Sequence, residues 1–320
     1  MSSDPLSLPS GAAALGRRRR LTRARVTRAL APYGLIAPAL VVIAAVLAYP
    51  LYFLARLSLQ RYGLFELIRH RGVSVGLDNF TAVLHDAVFW HTLLRTIVFT
   101  VVNVGLTMVL GTLIALLLTK VSGPVRILVT SGLVLEWAMP AVVAVQLWYW
   151  MTNFQNGVVN YVLTELHLGD FVQHDWYASP TSALGVTTSL IVWGAIPFVA
   201  ITIFAALAQV PRELQEAAAV DGANPVRAFF DVTVPVIKPI LLILTSLSII
   251  WDFSVFTQPF LLLQSRPNPS YYLMSMYLYA KSIGIHEYGL GAAIALIMVA
   301  IMLCLSFVYV RQMVRAGEVA

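Results

Sequence analysis

Two carboxylates lie inside long apolar stretches of this sequence, and each stands next to a tryptophan. The pairs are Glu136–Trp137 and Trp251–Asp252, and Trp193 lies in a third such stretch. An ionisable side chain inside a membrane span is a candidate functional residue, because a charge is costly to place in hydrocarbon. Carboxylates accept hydrogen bonds from sugar hydroxyls, and an aromatic ring stacks on the apolar face of a sugar. We therefore predict that these five residues line a substrate pathway.

A structural role is the alternative for the two carboxylates. Each could instead hydrogen-bond a neighbouring helix or pair with a partner subunit, because adjacent residues on a helix point about 100° apart. Trp148 and Tyr149 lie nearer the predicted outer boundary. For these two residues an interfacial aromatic belt explains the pattern better than a sugar site does.

The elements that must position these residues are membrane-spanning helices. The chain is 59% hydrophobic and 11% charged, with a mean hydropathy of +0.81, whereas soluble domains have about 25% charged residues. Six apolar windows are long enough to cross about 30 Å of hydrocarbon. We predict an all-α polytopic membrane protein with six transmembrane helices, at roughly Tyr33–Leu59, Leu93–Leu118, Val125–Met151, Gly185–Ala208, Ile237–Leu263 and Leu290–Val310.

Basic residues are distributed unevenly around these windows. Seven arginines precede the first window and seven more Lys and Arg residues follow on the same side, which makes fourteen of the 21 in the chain. The positive-inside rule therefore places both termini in the cytoplasm, in a multi-pass protein of the cytoplasmic membrane. The same excess predicts contact with anionic membrane lipid and not with nucleic acid, because no aromatic-basic platform accompanies it.

A polar helical segment with a Gly, Asn and Pro cluster separates the fourth and fifth windows. Pro211 suits the start of a helix, and Gly222 can end it because glycine adopts positive φ without steric cost. Asn224 followed by Pro225 predicts an N-cap and the first position of a second helix. We expect Pro235 and Pro239 to close that second helix. The segment is thus predicted to be a cytoplasmic helix-turn-helix.

This segment resembles the EAA loop of permease subunits in ATP-binding-cassette importers. The pattern is E-A-A, three residues, G, nine residues and I-x-L-P, and here it occurs as Glu216-Ala217-Ala218, then Gly222, then Val232-Thr233-Val234-Pro235. Val75 to Phe80 is also similar to the first external loop of the maltose-type carbohydrate importers. The resemblance implies a type I importer permease fold whose cytoplasmic coupling helix docks on an ATPase. The docking positions that it implies are Glu216, Ala217, Ala218, Asp221, Gly222, Asn224 and Pro225.

The resemblance also implies the partners and the substrate. These are a second homologous permease subunit, a cytoplasmic ATPase dimer, an external sugar-binding lipoprotein and a sugar, expected to be a di- or oligosaccharide. The Trp-Asp-Phe sequence at 251–253 is similar to that of chito-oligosaccharide systems, whereas the family's usual Asp later in this span is Thr257 here. The chain has neither a phosphate-binding G-x-x-x-x-G-K-[ST] motif nor an H-E-x-x-H metal motif. We therefore expect no cofactor or metal on this chain, and ATP and magnesium on the partner ATPase.

Three domains are predicted: a basic, partly disordered cytoplasmic tail at 1–31, a permease domain at 32–315 that contains the EAA-like loop at 211–235, and a short tail at 316–320. One alternative function is an ion-coupled secondary transporter that uses Glu136 and Asp252, but the inverted repeats of such proteins are not evident. Another is an intramembrane enzyme, which is disfavoured because no span contains a G-x-S-x-G or a paired-aspartate motif.

Overall fold

The computed structural model describes residues 36–263 and 268–317, with side chains through residue 313. Helices dominate this part of the chain, as predicted. The predicted tail at 1–31 lies outside the described residues, and so does the end of the tail at 316–320. The elements are α1 (Ile36–Ser58), β1 (Gln60–Arg61), α2 (Leu64–Arg69), β2 (Val73–Ser74), α3 (Asp78–His85), α4 (Ala87–Lys120), α5 (Gly123–Trp137), α6 (Ala141–Met151), α7 (Val158–Glu165), α8 (Pro180–Leu207), α9 (Arg212–Val220), α10 (Pro225–Ala228), α11 (Val234–Phe253), α12 (Thr257–Leu262), α13 (Met274–Tyr279) and α14 (Tyr288–Gly317).

The number of membrane-spanning helices agrees with the prediction. Within the described residues, five helices are long and apolar enough to cross a membrane, and a bent pair of helices makes up to six. The chain divides into two compact units at Arg56. The first unit contains most of α1, an exposed apolar helix, and everything described below belongs to the second unit.

The third predicted span is not one straight helix. The window Val125–Met151 is occupied by α5 and α6, whose axes differ by 100° across a break of three residues. Pro140 is the N-cap of α6. Proline lacks an N–H donor and disfavours the α conformation in the residue before it, which explains why the helix stops here. Glu136 and Trp137 therefore lie at the end of α5, immediately before the break.

The core of the second unit is built on the close approach of α4 and α8. A Cβ atom added at Gly111 would lie 2.6 Å from Cγ1 of Val199, so only glycine allows this contact. A line of buried polar residues follows the same helix: Thr92, Thr96, Thr100, Asn103 and Thr107. Small and hydroxyl-bearing residues let membrane helices approach each other closely. These two helices are thus the rigid pair against which other helices pack.

The segments between the spans contain short helices and one small sheet. Two of the short helices are α3 and α7, which lie between membrane-spanning segments. The hairpin was not predicted: β1 and β2 pair antiparallel, with Gln60 opposite Ser74 and Arg61 opposite Val73. Gly289 of α14 packs closely on this hairpin. A Cβ atom at this position would lie only 2.1 Å from the carbonyl oxygen of Gln60, so a larger residue would clash.

A polar cluster joins the start of α4 to a part of the chain almost two hundred residues later. Asp86 caps α4 by accepting a hydrogen bond from the backbone N–H of Val88, at 2.8 Å. The hydroxyl of Tyr277 donates to the other carboxylate oxygen at 2.7 Å, and Nζ of Lys281 lies 3.2 Å from that same oxygen. The cluster therefore fixes α13 and the π-helical turn at 280–284 against α4.

Candidate functional site

The EAA-like segment folds as the sequence predicts up to Pro225. Helix α9 ends at Val220, and Gly222 adopts a left-handed conformation with φ +80°. The N–H of Gly222 donates to the carbonyl of Ala219, and the N–H of Ala223 donates to the carbonyl of Ala218. This pair of bonds is a Schellman motif, which satisfies carbonyl groups at the end of a helix. The motif explains why a glycine is required at this position.

The second helix of the segment starts as predicted but does not end as predicted. The side chain of Asn224 accepts a hydrogen bond from the N–H of Arg227 at 2.8 Å, and Pro225 is the first helical residue. The prediction that Pro235 and Pro239 end this helix is wrong, because both lie inside α11. A π-helical turn at Phe229–Thr233 joins α10 to α11, and in it the N–H of Val234 donates to the carbonyl of Phe229, five residues back.

Most of this segment faces outward. Of the predicted docking residues, Glu216, Ala217, Asp221, Gly222, Asn224 and Pro225 are exposed and Ala218 is buried. Large apolar side chains accompany them on the surface, since Val220 is 88% exposed and Val226 is 66% exposed. Val210 and Ile237, at the two ends of the segment, are buried in the core. The segment is thus a projection that is anchored in the core and has an apolar tip, and exposed apolar patches are a common feature of protein interaction sites.

Two of the predicted pathway tryptophans are brought together by a residue that was not predicted. Trp137 of α5 stacks on Phe198 of α8, with ring centroids 6.2 Å apart and an interplanar angle of 19°. Phe198 also contacts Trp251 of α11, at 5.6 Å and 60°. We call these three residues the aromatic row. Trp137 and Trp251 are 59% and 52% exposed, so the row is an aromatic surface contributed by three helices.

Glu136 lies beside the aromatic row, next to a glycine of α8. A Cβ atom at Gly194 would lie 3.8 Å from Oε1 of Glu136, and Phe198 is one helical turn beyond this glycine. Pro197 lies inside α8 and has no N–H to donate to the carbonyl of Trp193. A carboxylate, a carbonyl acceptor and an aromatic surface therefore occur together at this level of α8. This combination can accept hydrogen bonds from hydroxyl groups while contacting an apolar ring face.

The other two predicted pathway residues have different surroundings. Trp193 contacts Trp148 of α6, with ring centroids 6.1 Å apart, and packs against a buried cluster that includes Leu190 and Leu262. Asp252 is only 6% exposed, although its neighbour Trp251 is half exposed. Asp252 thus faces the helix packing around α11.

The sequence held a signal for Phe198 and Gly194 that the prediction did not use. These residues are four positions apart in the fourth predicted span, and residues at that spacing lie on the same face of a helix. A glycine one turn from an aromatic residue marks a place where another side chain can approach the helix closely. Glu136 occupies that place here.

Comparison with known proteins gives a family and several curated relatives. The family described as "Binding-protein-dependent transport system inner membrane component" matches residues 107–315. The diacetylchitobiose uptake system permease protein DasB of Streptomyces coelicolor is 40% identical over 93% of this chain and 92% of its own length. The sulfoquinovosyl glycerol transport system permease protein SmoG of Agrobacterium fabrum is 31% identical over 87% of this chain and 88% of its own.

A solved structure shows the same fold at low sequence identity. A chain of a bacterial ABC transporter involved in the import of the acidic polysaccharide alginate superposes with a TM-score of 0.74 and 20% identity. The match covers 92% of this chain and 99% of that one. At this identity the likeness concerns the fold, and it agrees with the predicted permease architecture.

Proposed function

Because the chain belongs to the family of binding-protein-dependent transport system inner membrane components, we propose that it is a permease subunit of an ATP-driven sugar importer. It is a multi-pass membrane protein and a transport subunit. Its substrate is proposed to be a di- or oligosaccharide, and a chito-oligosaccharide in particular. The name of the relative from Streptomyces coelicolor, at 40% identity, supports this choice.

The exposed EAA-like segment carries the proposal. The segment projects from the core, ends α9 in a rigid Schellman turn and presents Val220 and Val226 to a partner. We place Glu216, Ala217, Ala218, Asp221, Gly222, Asn224 and Pro225 in the contact with a cytoplasmic ATPase dimer. That dimer would bind ATP and magnesium, and this chain would bind no cofactor. Both termini would lie in the cytoplasm, as the distribution of basic residues indicates.

The substrate pathway is proposed to run along the aromatic row. Trp137, Phe198 and Trp251 would stack on sugar rings, and Glu136 would accept hydrogen bonds from hydroxyl groups. Trp193 and Asp252 are packed between helices, so they would hold the pathway helices in position and would not contact the sugar directly. A second homologous permease subunit would complete the pathway, and an external sugar-binding lipoprotein would deliver the sugar. Nucleotide-dependent closure of the ATPase would then shift the permease between outward-open and inward-open states.

Co-purification tests the docking role. The tagged chain is isolated from its native membrane in mild detergent, and the bound proteins are identified by mass spectrometry. We expect an ATPase and a second permease with the wild type, and loss of the ATPase with Glu216→Lys. Glu165→Lys makes the same charge reversal on an exposed residue of α7 and should retain the ATPase.

Two outcomes would contradict the proposal. Equal recovery of the ATPase with Glu216→Lys and Glu165→Lys would remove the docking role of α9. A chain that is isolated alone, and whose uptake stops when ion gradients are collapsed, would support the ion-coupled transporter that uses Glu136 and Asp252.

A further inference from the structure

A cavity of about 390 Å³ lies where three segments of the chain meet. Tyr149 comes from α6, Tyr177 from the segment before α8, and Tyr271 from the segment between α12 and α13. Cavities that bind small molecules have volumes of about 300–1,000 Å³ and combine apolar walls with a few placed polar groups. This cavity has both the size and the aromatic walls of such a site.

The three tyrosines are held in position by one another. The rings of Tyr149 and Tyr177 lie 5.8 Å apart with an interplanar angle of 32°. The hydroxyl of Tyr177 is hydrogen-bonded to the hydroxyl of Thr152 at 2.6 Å, and the hydroxyl of Tyr271 donates to the carbonyl of Tyr177 at 2.9 Å. Burial raises the pKa of Tyr177 to about 12, which further favours the protonated hydroxyl. The aromatic walls are therefore organised before any ligand arrives.

Polar groups surround an apolar floor formed by the buried residues Leu262 and Leu263. The carboxamide oxygens of Asn153 and Asn268 accept backbone hydrogen bonds from Gln155 and Ser270, and each of these side chains also carries an NH₂ donor. Asp175 accepts the N–H of Tyr177 through one carboxylate oxygen and offers the other as an acceptor. Asp175 is the only charged side chain among the described residues that line the cavity.

The cavity adjoins the proposed pathway. Its floor residue Leu262 belongs to the same buried cluster against which Trp148 and Trp193 pack. Trp193 in turn precedes Gly194, the residue beside Glu136. Aromatic side chains thus continue from the cavity to the level of the aromatic row.

We propose that this cavity is an entry subsite that binds one pyranose ring of a neutral sugar at the outer end of the pathway. This inference rests on the proposed import function and on the orientation given above. The tyrosine faces would stack on the ring, and the Asn and Asp side chains would bind its hydroxyl or acetamido groups. A uronic acid would be disfavoured, because its carboxylate would face the carboxylate of Asp175.

The test uses the assembled importer in proteoliposomes, with its binding protein and a photoreactive diazirine derivative of diacetylchitobiose. We expect cross-links in the peptides around 149–154 and 268–271 that unlabelled sugar suppresses. Tyr271→Ala should lose these cross-links and lower uptake efficiency about two- to tenfold, as expected for a lost ring contact. Tyr161→Ala changes an exposed tyrosine of α7 outside the cavity and should match the wild type. Tyr271→Phe, which keeps the ring, should retain the cross-links and report on folding.

Selectivity gives a second readout. Asp175→Asn keeps the acceptor for Tyr177 but removes the charge, so we expect it to reduce the preference for diacetylchitobiose over a uronic-acid disaccharide. The inference is overturned if the wild type transports sugar while Tyr271→Ala behaves like Tyr161→Ala. It is also overturned if Tyr271→Ala weakens docking of the sugar-free and the sugar-loaded binding protein equally. That result would mean that the cavity receives a side chain of the binding protein and not a sugar. A wild type that cross-links at the cavity but transports no sugar would refute the import function alone.

Discussion

Phe198 connects the two exposed tryptophans of the aromatic row. Its ring contacts Trp137 on one side and Trp251 on the other. An aromatic pair contributes about 0.5–1.5 kcal/mol beyond the burial of its surface. We therefore expect Phe198→Ala to raise the sugar concentration required for half-maximal uptake about two- to tenfold, because both tryptophans lose the ring that positions them.

The matched control is Phe307→Ala, which removes the same side chain from an exposed position on α14. Sugar uptake and basal ATP hydrolysis are measured for both variants in proteoliposomes. Only Phe198→Ala should raise the sugar concentration required for half-maximal uptake. A similar change in both would mean that the row has no particular role in handling the sugar.

At the scale of elements, the close contact of α4 with α8 sets the geometry of the pathway helices. A methyl group at Gly111 would lie 2.6 Å from Cγ1 of Val199, which is itself 1% exposed. Overpacking of this kind costs about 1–3 kcal/mol. We expect Gly111→Ala to lower the thermal stability of the detergent-solubilised protein. Gly105→Ala, on the same helix, should be tolerated, because a Cβ atom there has no neighbour within 4 Å.

A double-mutant cycle identifies the cause. Val199→Ala removes Cγ1, the atom that a methyl group at Gly111 would approach most closely, so the double variant should be more stable than the sum of the two single effects predicts. Strict additivity would mean that Gly111 acts through the flexibility of α4 and not through its contact with α8.

At the scale of the whole molecule, the Asp86 cluster links the beginning and the end of the second unit. Burial opposes ionisation of Asp86, but hydrogen bonds from Tyr277, the Val88 N–H and Lys281 outweigh it, so the pKa of this carboxyl group is lowered. A carboxyl group with a lowered pKa in the folded state stabilises the protein above the pKa of its unfolded state, and this contribution is lost as the pH falls through the folded value. The cluster should therefore stabilise the unit at neutral pH and lose this contribution in acid.

Thermal unfolding of the wild type and Asp86→Asn tests this contribution. The wild type should be the more stable at pH 7, and the difference should shrink once the pH falls below the ordinary range of aspartate. Asp170→Asn makes the same change at an exposed loop position and should have a smaller effect. If the difference in thermal stability between the wild type and Asp86→Asn stays constant down to acidic pH, the charge of Asp86 is not what stabilises the cluster.

Local signals in the sequence predicted local structure well. Gly222 and the Asn224–Pro225 pair act through their own backbone preferences, and both behave as expected. Features that depend on distant neighbours were not predictable in this way. Pro140 ends one helix, whereas Pro197 and Pro239 lie inside helices, so the residue type alone does not decide between a break and a continuous helix. The spacing of Gly194 and Phe198 indicates a shared face of α8, but the contacts of Phe198 with Trp137 and Trp251 depend on how α5 and α11 pack against that face.

The π-helical turn at 229–233 lies near the end of the EAA-like segment, within a helical run that extends past Trp251 to Phe253. Such a turn holds one residue more than an α-helical turn. If a push on α9 displaced or removed it, the register of α11 would change by one residue, and every side chain beyond would rotate by about 100°. Trp251 and Asp252 are separated by that same angle. A change in the direction that brings Asp252 to the place of Trp251 would exchange an aromatic ring for a carboxylate at this level of the pathway.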